Sequence, residues 1–172
     1  MTRRTWSPRG VTPILRHRFA WKRASMAAAL GYHSDATRAR LCFHLHKDSY
    51  NTVSLIGVLE QLKGFYAGQQ VVLLWDGLSA HWSHDMRAWL QTQQHWLQVE
   101  RLPAYAPELN PVEYLWANLK GVELANFAGD QVAQVADAAE QGIQRVCDDQ
   151  QAVWSFLAHT GLTLDHEPPP NL

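Results

Sequence analysis

Two carboxylates, Asp76 and Glu113, stand where acids can do phosphate chemistry. Asp76 closes a continuous apolar run that begins at Val71, so it sits at the carboxyl end of a predicted strand. Glu113 follows Asn110-Pro111-Val112, which places it in the first turn of a helix with Pro111 at its first position. Thirty-six residues lie between the two acids. A carboxylate at the end of a buried strand and another at a helix start make half of a site for two divalent cations. Mg²⁺ takes oxygen ligands in near-octahedral geometry and keeps several waters, which suits carboxylates. Two ions about 4 Å apart activate the attacking oxygen and stabilise the leaving oxygen of an in-line phosphoryl transfer. Such a site needs a third carboxylate, and no other acid of the chain stands in a matching place.

Each acid also has a plainer reading. Asp76-Gly77 can simply start a turn. Asn110-Pro111-Val112-Glu113 has capping-box form, with Glu113 reaching back to the Asn110 N–H and gaining from the helix dipole. Basic and aromatic neighbours divide in the same way. His81 and His84 can touch a phosphate or a metal, or serve as polar residues at a helix start. Arg101 and Lys120 flank the two acids and can contact phosphates, or remain solvated. Tyr105 or Trp116 can stack on a splayed base, although Trp116 also fits the inner face of its helix. His44 and His46 share a strand face, but no third ligand has zinc spacing.

The elements that must position these groups follow from periodicity. Residues 24–33 and 38–46 read as two strands joined by a hairpin. In the second, Leu41, Phe43 and Leu45 alternate with Cys42, His44 and His46. Ser49 or Asn51 caps a helix carrying Val53, Ile56, Leu59 and Leu62. The run 71–75 lacks polar alternation and predicts a strand buried on both faces. A helix over 83–95 carries a stripe of Trp82, Met86, Trp89 and Trp96. A short strand over 97–102, helices over 111–120 and 130–146, and a last one over 151–158 complete the order. The tail after Asp165 is predicted to be disordered. This order predicts an α/β domain with a mixed sheet, whose sites lie at strand carboxyl ends, where Asp76 is.

Composition sets the limits. The 172 residues are 47% apolar and 18% charged, ordinary for one globular domain. No apolar stretch reaches the roughly 18 residues that span a bilayer, so no membrane partner is expected. Two cysteines, Cys42 and Cys147, lack metal spacing and suggest no disulfide framework, which points to a cytoplasmic setting. The net charge of −1 hides an asymmetry. Residues 1–46 hold nine Lys or Arg against one acid, and residues 47–172 hold six against fifteen. A basic arm on an acidic body suits a polyanion such as nucleic acid; a solvated terminus is the plainer reading.

The segment from Trp75-Asp76-Gly77 through His81 to LPAYAPELNPVEYLW resembles the end of the catalytic domain of mariner-superfamily transposases. It is most similar to the bacterial insertion-sequence six-thirty group. The opening RRTWSPRGVTPIL resembles the segment just after the first catalytic strand of that group. The resemblance runs from about residue 3 to about residue 160, with 161–172 as a tail. It implies a ribonuclease H-like fold, a mixed sheet flanked by helices, and Asp, Asp and Glu as ligands of Mg²⁺ or Mn²⁺. The second Asp falls on Asp76 and the Glu on Glu113.

The first Asp has no counterpart. Asp35 lies in the hairpin turn and Asp48 follows the second strand, and neither matches by motif. The first central strand of the fold would be missing, leaving a slot between the hairpin and the strand ending at Asp76. The resemblance implies a transposase catalytic-domain fragment whose partners are DNA, as transposon ends and target. An upstream or intact transposase polypeptide would be a further partner, and the setting would be the bacterial cytoplasm and nucleoid. Such a fragment is expected to be inactive alone and loosely folded. The rival is a non-catalytic DNA-binding or assembly fragment that modulates an intact enzyme. A ribonuclease or junction resolvase of the same fold is a third reading, against which the LNPVEYLW block argues.

Overall fold

The computed structural model describes residues 25–125 and 132–164. Residues 1–24 of the basic arm and the tail after Asp165 lie outside the described residues.

Strands β1 (Ser25–Tyr32) and β2 (Ala39–His46) form an antiparallel hairpin in which Ala28 faces Phe43 and Leu30 faces Leu41. Its turn is closed by His33 N–H donating to Arg38 O and by Asp35 Oδ1 accepting from Thr37 N–H. The predicted alternation of β2 is real, and both faces are covered. Leu30, Leu41 and Phe43 pack on one side with helices α3 (Pro111–Gly121), α4 (Val132–Asp148) and α5 (Gln150–His159). Ala29 and Cys42 pack on the other with α1 (Thr52–Phe65) and α2 (His84–Thr92).

Asn51 is the cap of α1. Its side chain accepts from Ser54 N–H, and Ser54 Oγ accepts from Asn51 N–H, so two orphan donors are satisfied reciprocally. The buried stripe is Leu55, Leu59 and Leu62. Val53, expected on it, is 78% exposed. Leu59 and Leu62 lie on the stripe as expected, Ile56 packs half-buried against the same cluster, and Leu55 takes the place expected of Val53.

Strands β3 (Val71–Trp75) and β4 (Leu97–Arg101) form a parallel pair with Trp75 beside Arg101. Here the expectation of burial on both faces fails. Leu73 and Trp75 pack against α1 and α2, whereas Val72 and Leu74 are 63% and 53% exposed. An apolar run reports β-propensity and cannot say which faces are covered. The predicted mixed sheet takes the form of two two-stranded ladders, one antiparallel and one parallel, with no hydrogen-bonded strand between them among the described residues.

The tryptophan stripe is core only in part. Met86 is fully buried, Trp96 nearly so, and Trp89 packs against the same cluster. Trp82 lies before α2 in a short 3₁₀ turn. In the second layer Gly142 lets α4 approach α3: a Cβ there would lie 2.5 Å from Leu119 Cδ2.

Candidate metal and phosphate site

The parallel pairing of β3 and β4 builds the floor of the site. Leu102 N–H donates to Trp75 O at 2.8 Å, so the chain leaves both strands side by side. Asp76 and Gly77 leave one, and Arg101 and the loop 102–110 leave the other. The loop turns through Pro103, Ala104 and Tyr105, makes a 3₁₀ turn over Pro107–Leu109, and enters α3. These segments enclose a pocket of about 400 Å³ lined by Asp76, Gly77, Arg101, residues 102–107, Asn110 and Glu113. The two acids singled out in the sequence therefore share one pocket, and Arg101 shares it with them.

The capping-box reading of Glu113 does not hold. The Asn110 side chain accepts from Val112 N–H at 3.1 Å, as an N-cap should. The Asn110 N–H donates instead to Pro107 O at 3.0 Å, a bond supplied by the 3₁₀ turn. The Glu113 carboxylate is left exposed at the helix start, in the pocket, where the dipole favours an anion.

The turn reading of Asp76 does hold, and its carboxylate is held as well. Oδ1 accepts from Leu78 N–H at 3.0 Å and lies 2.8 Å from His81 Nδ1. The His81 contact lies off the axis of the ring N–H, and Nδ1 has no other partner. At that separation from a carboxylate oxygen the nitrogen must carry a proton. His81 is 7% exposed and stacks on Trp75, with ring centroids 3.9 Å apart and planes 17° apart. Burial pushes its pKa down and the Asp76 charge pushes it up, with burial the larger effect. His81 therefore reaches the site through Asp76.

Trp82 also serves Asp76, since its Nε1–H donates to the Asp76 carbonyl at 2.7 Å. The sequence shows Trp82 only as part of an aromatic stripe, and such a stripe carries no signal for an indole donor. The Arg101 guanidinium lies 5.4 Å over the Trp82 ring and passes close to Gly77, where a Cβ would stand 2.9 Å from a guanidinium nitrogen. Lys120 is exposed at the far end of α3 and does not line the pocket. His84 pairs with Asp85 at the surface, and His44 bonds Tyr50 Oη at 2.7 Å, away from any third ligand. Trp116, on α3, packs against the core.

Two carboxylates lining one pocket are oxygen donors of the kind a hard divalent cation takes. A bridged pair of ions needs more. No group of three metal-ligating side chains occurs among the described residues. Asp35 is occupied at the hairpin tip by Thr37 and His33, and Asp48 is exposed after β2.

The sequence matches the family described as DDE superfamily endonuclease over residues 1–131. No curated protein sequence matches it. Among solved structures it is similar to the Mos1 mariner paired end complex with Mn, at 17% identity and a TM-score of 0.55, covering 96% of this chain and 52% of that one. It is also similar to the Mos1 transposase paired-end complex with left transposon end and to the Mos1 Strand Transfer Complex, at 17% identity with TM-scores of 0.54 and 0.53. The chain thus spans about half the length of the solved chains it matches. At this identity the likeness concerns the fold, which is ribonuclease H-like.

Proposed function

This chain belongs to the DDE superfamily of endonucleases, and on that premise we propose that it is a catalytic-domain portion of an insertion-sequence transposase, acting in cleavage and joining of DNA strands. The observation that carries the proposal is the single pocket shared by Asp76, Glu113 and Arg101. Asp76 and Glu113 hold Mg²⁺ or Mn²⁺. A bound divalent ion supplies Lewis-acid stabilisation of the attacking and leaving oxygens. Arg101 offers a planar fork to a phosphate in the same pocket. Leu78 N–H and His81 keep one oxygen of Asp76 fixed. DNA, as transposon ends and target, is the partner of this reading, in a bacterial cytoplasm and at the nucleoid.

The chain contributes two of the three carboxylates. We assign the third to an upstream transposase segment, in the same or another polypeptide, that would add a strand between the hairpin and β3. Among the described residues every strand pairs on one side only, and unpaired edges accept added strands. The chain alone is then inactive. A second reading, a non-catalytic DNA-binding or assembly fragment, is favoured by the absence of a third metal-ligating side chain among the described residues. The discriminating experiment incubates end-bearing DNA and Mn²⁺ with the chain, with and without a co-expressed upstream segment containing an Asp. Nicking only in the pair, lost in Asp76→Asn, supports the catalytic reading. DNA binding by both samples without nicking in either supports the second.

A further inference from the structure

Tyr105 combines two features that a structural residue avoids. Its φ is 60°, in the left-handed region that favours Gly and Asn. Its side chain is fully exposed, at 101%. The other non-Gly residue in this region among the described residues, Ala36 with φ 56°, has a local reason: it forms the hairpin tip, where its N–H donates to His33 O. Tyr105 makes no comparable hydrogen bond among the described residues. An aromatic ring held at backbone cost and left in water meets its partner outside the molecule, and strained positions of this kind gather at functional sites. The ring stands at the rim of the pocket that holds Asp76, Glu113 and Arg101.

We propose that Tyr105 is a stacking platform for one unpaired DNA base, next to the phosphate held by Arg101. This rests on the reading of the pocket as a DNA-strand site and adds the form of the strand it takes. The chemistry is matched on both parts of a nucleotide. The guanidinium of Arg101 suits the phosphate, and the phenol ring offers a face that any base can stack on, so the platform is tolerant of sequence. A base paired within a duplex has both faces covered by its neighbours. The platform therefore selects a single strand or a frayed end.

The test measures anisotropy of three labelled probes: a single-stranded oligonucleotide, a sugar–phosphate strand of equal length without bases, and a matched blunt duplex. The wild type should prefer the base-bearing strand to the abasic one. Tyr105→Ala should lower affinity for the base-bearing strand by roughly five- to 150-fold and abolish that preference, while Tyr105→Phe and Tyr105→Trp keep it. Tyr105→Gly should lose the preference too, yet melt no lower than the wild type, because Gly accepts the turn without strain. If Tyr105→Ala and Tyr105→Gly keep the preference, or if Tyr105→Gly melts well below the wild type, the platform is refuted. If they keep it while Mn²⁺ binding still depends on Asp76 and Glu113, only the platform falls. Wild-type protein that binds none of the probes overturns the strand-processing reading as well.

Discussion

The imidazole of His81 touches Asp76 Oδ1 through Nδ1 at 2.8 Å while lying flat on Trp75, ring centroids 3.9 Å apart. Stacking fixes the ring plane, and the ring fixes one oxygen of the carboxylate. Outer-shell partners of this kind orient ligands and change metal affinity about 10- to 100-fold when removed. His81→Asn places an amide nitrogen near the position of Nδ1 and should retain most of the Mn²⁺ affinity. His81→Phe keeps the stack, loses the donor, and should lower affinity at least tenfold. Calorimetric Mn²⁺ titration, with melting curves for each variant, checks this. Equal affinity in the two folded variants would remove His81 from the site.

The close approach of Gly31 and Tyr66 makes a second prediction. A Cβ on Gly31 would overlap Tyr66 Oη, which is itself buried without a hydrogen-bond partner among the described residues. Gly31→Ala should cost about 1–3 kcal/mol, the usual penalty of overpacking. Tyr66→Phe deletes an unsatisfied group and should be neutral or slightly stabilising. The double variant should recover at least ~0.5 kcal/mol of the Gly31→Ala loss, because the two changes relieve one contact. Additive denaturant midpoints would contradict the packing described.

Tyr32 gives the stability a pH dependence at the alkaline end. Its hydroxyl donates to Val153 O at 3.0 Å, across the first core cluster. Burial holds its pKa well above the ordinary phenol value of about 10. The folded state therefore favours the neutral phenol. Its contribution is fully present below pH ~10 and is lost as pH rises from there towards the folded pKa. Burial raises Tyr66 in the same direction. Tyr32→Phe should cost roughly 0.5–1.5 kcal/mol at neutral pH and make the alkaline fall shallower, with Tyr32→Phe/Tyr66→Phe shallower still. Chemical denaturation between pH 8 and 11 reads both effects, and an unchanged slope in the double variant would contradict them.

The strands, the helices and the places of Asp76 and Glu113 on them are legible because their signals are local. A five-residue apolar run ending in Asp76, and a Pro at the first helical position before Glu113, each mark an element within a few residues. What escaped depended on distant neighbours. Val72 and Leu74 look buried in the sequence and are exposed, since coverage is decided by helices far along the chain. The capping-box pattern misled because a 3₁₀ turn over Pro107–Leu109 satisfied the Asn110 N–H first. His81 read as a surface group near a helix start, and its stack on Trp75 required the 3₁₀ turn Ser79–Trp82 to fold the chain back. The strain at Tyr105 has no sequence signal at all, because nothing but a backbone angle reveals it.

The central claim is that Asp76 and Glu113 hold one divalent ion together. Electron paramagnetic resonance of free Mn²⁺, titrated against the protein, measures this without DNA or catalysis. The account predicts one saturable site in the wild type, affinity at least tenfold lower in Asp76→Asn and in Glu113→Gln, and no change in Glu123→Gln, whose carboxylate pairs with Arg145 instead. Wild-type affinity in either pocket variant would contradict it, as would an equal loss in Glu123→Gln.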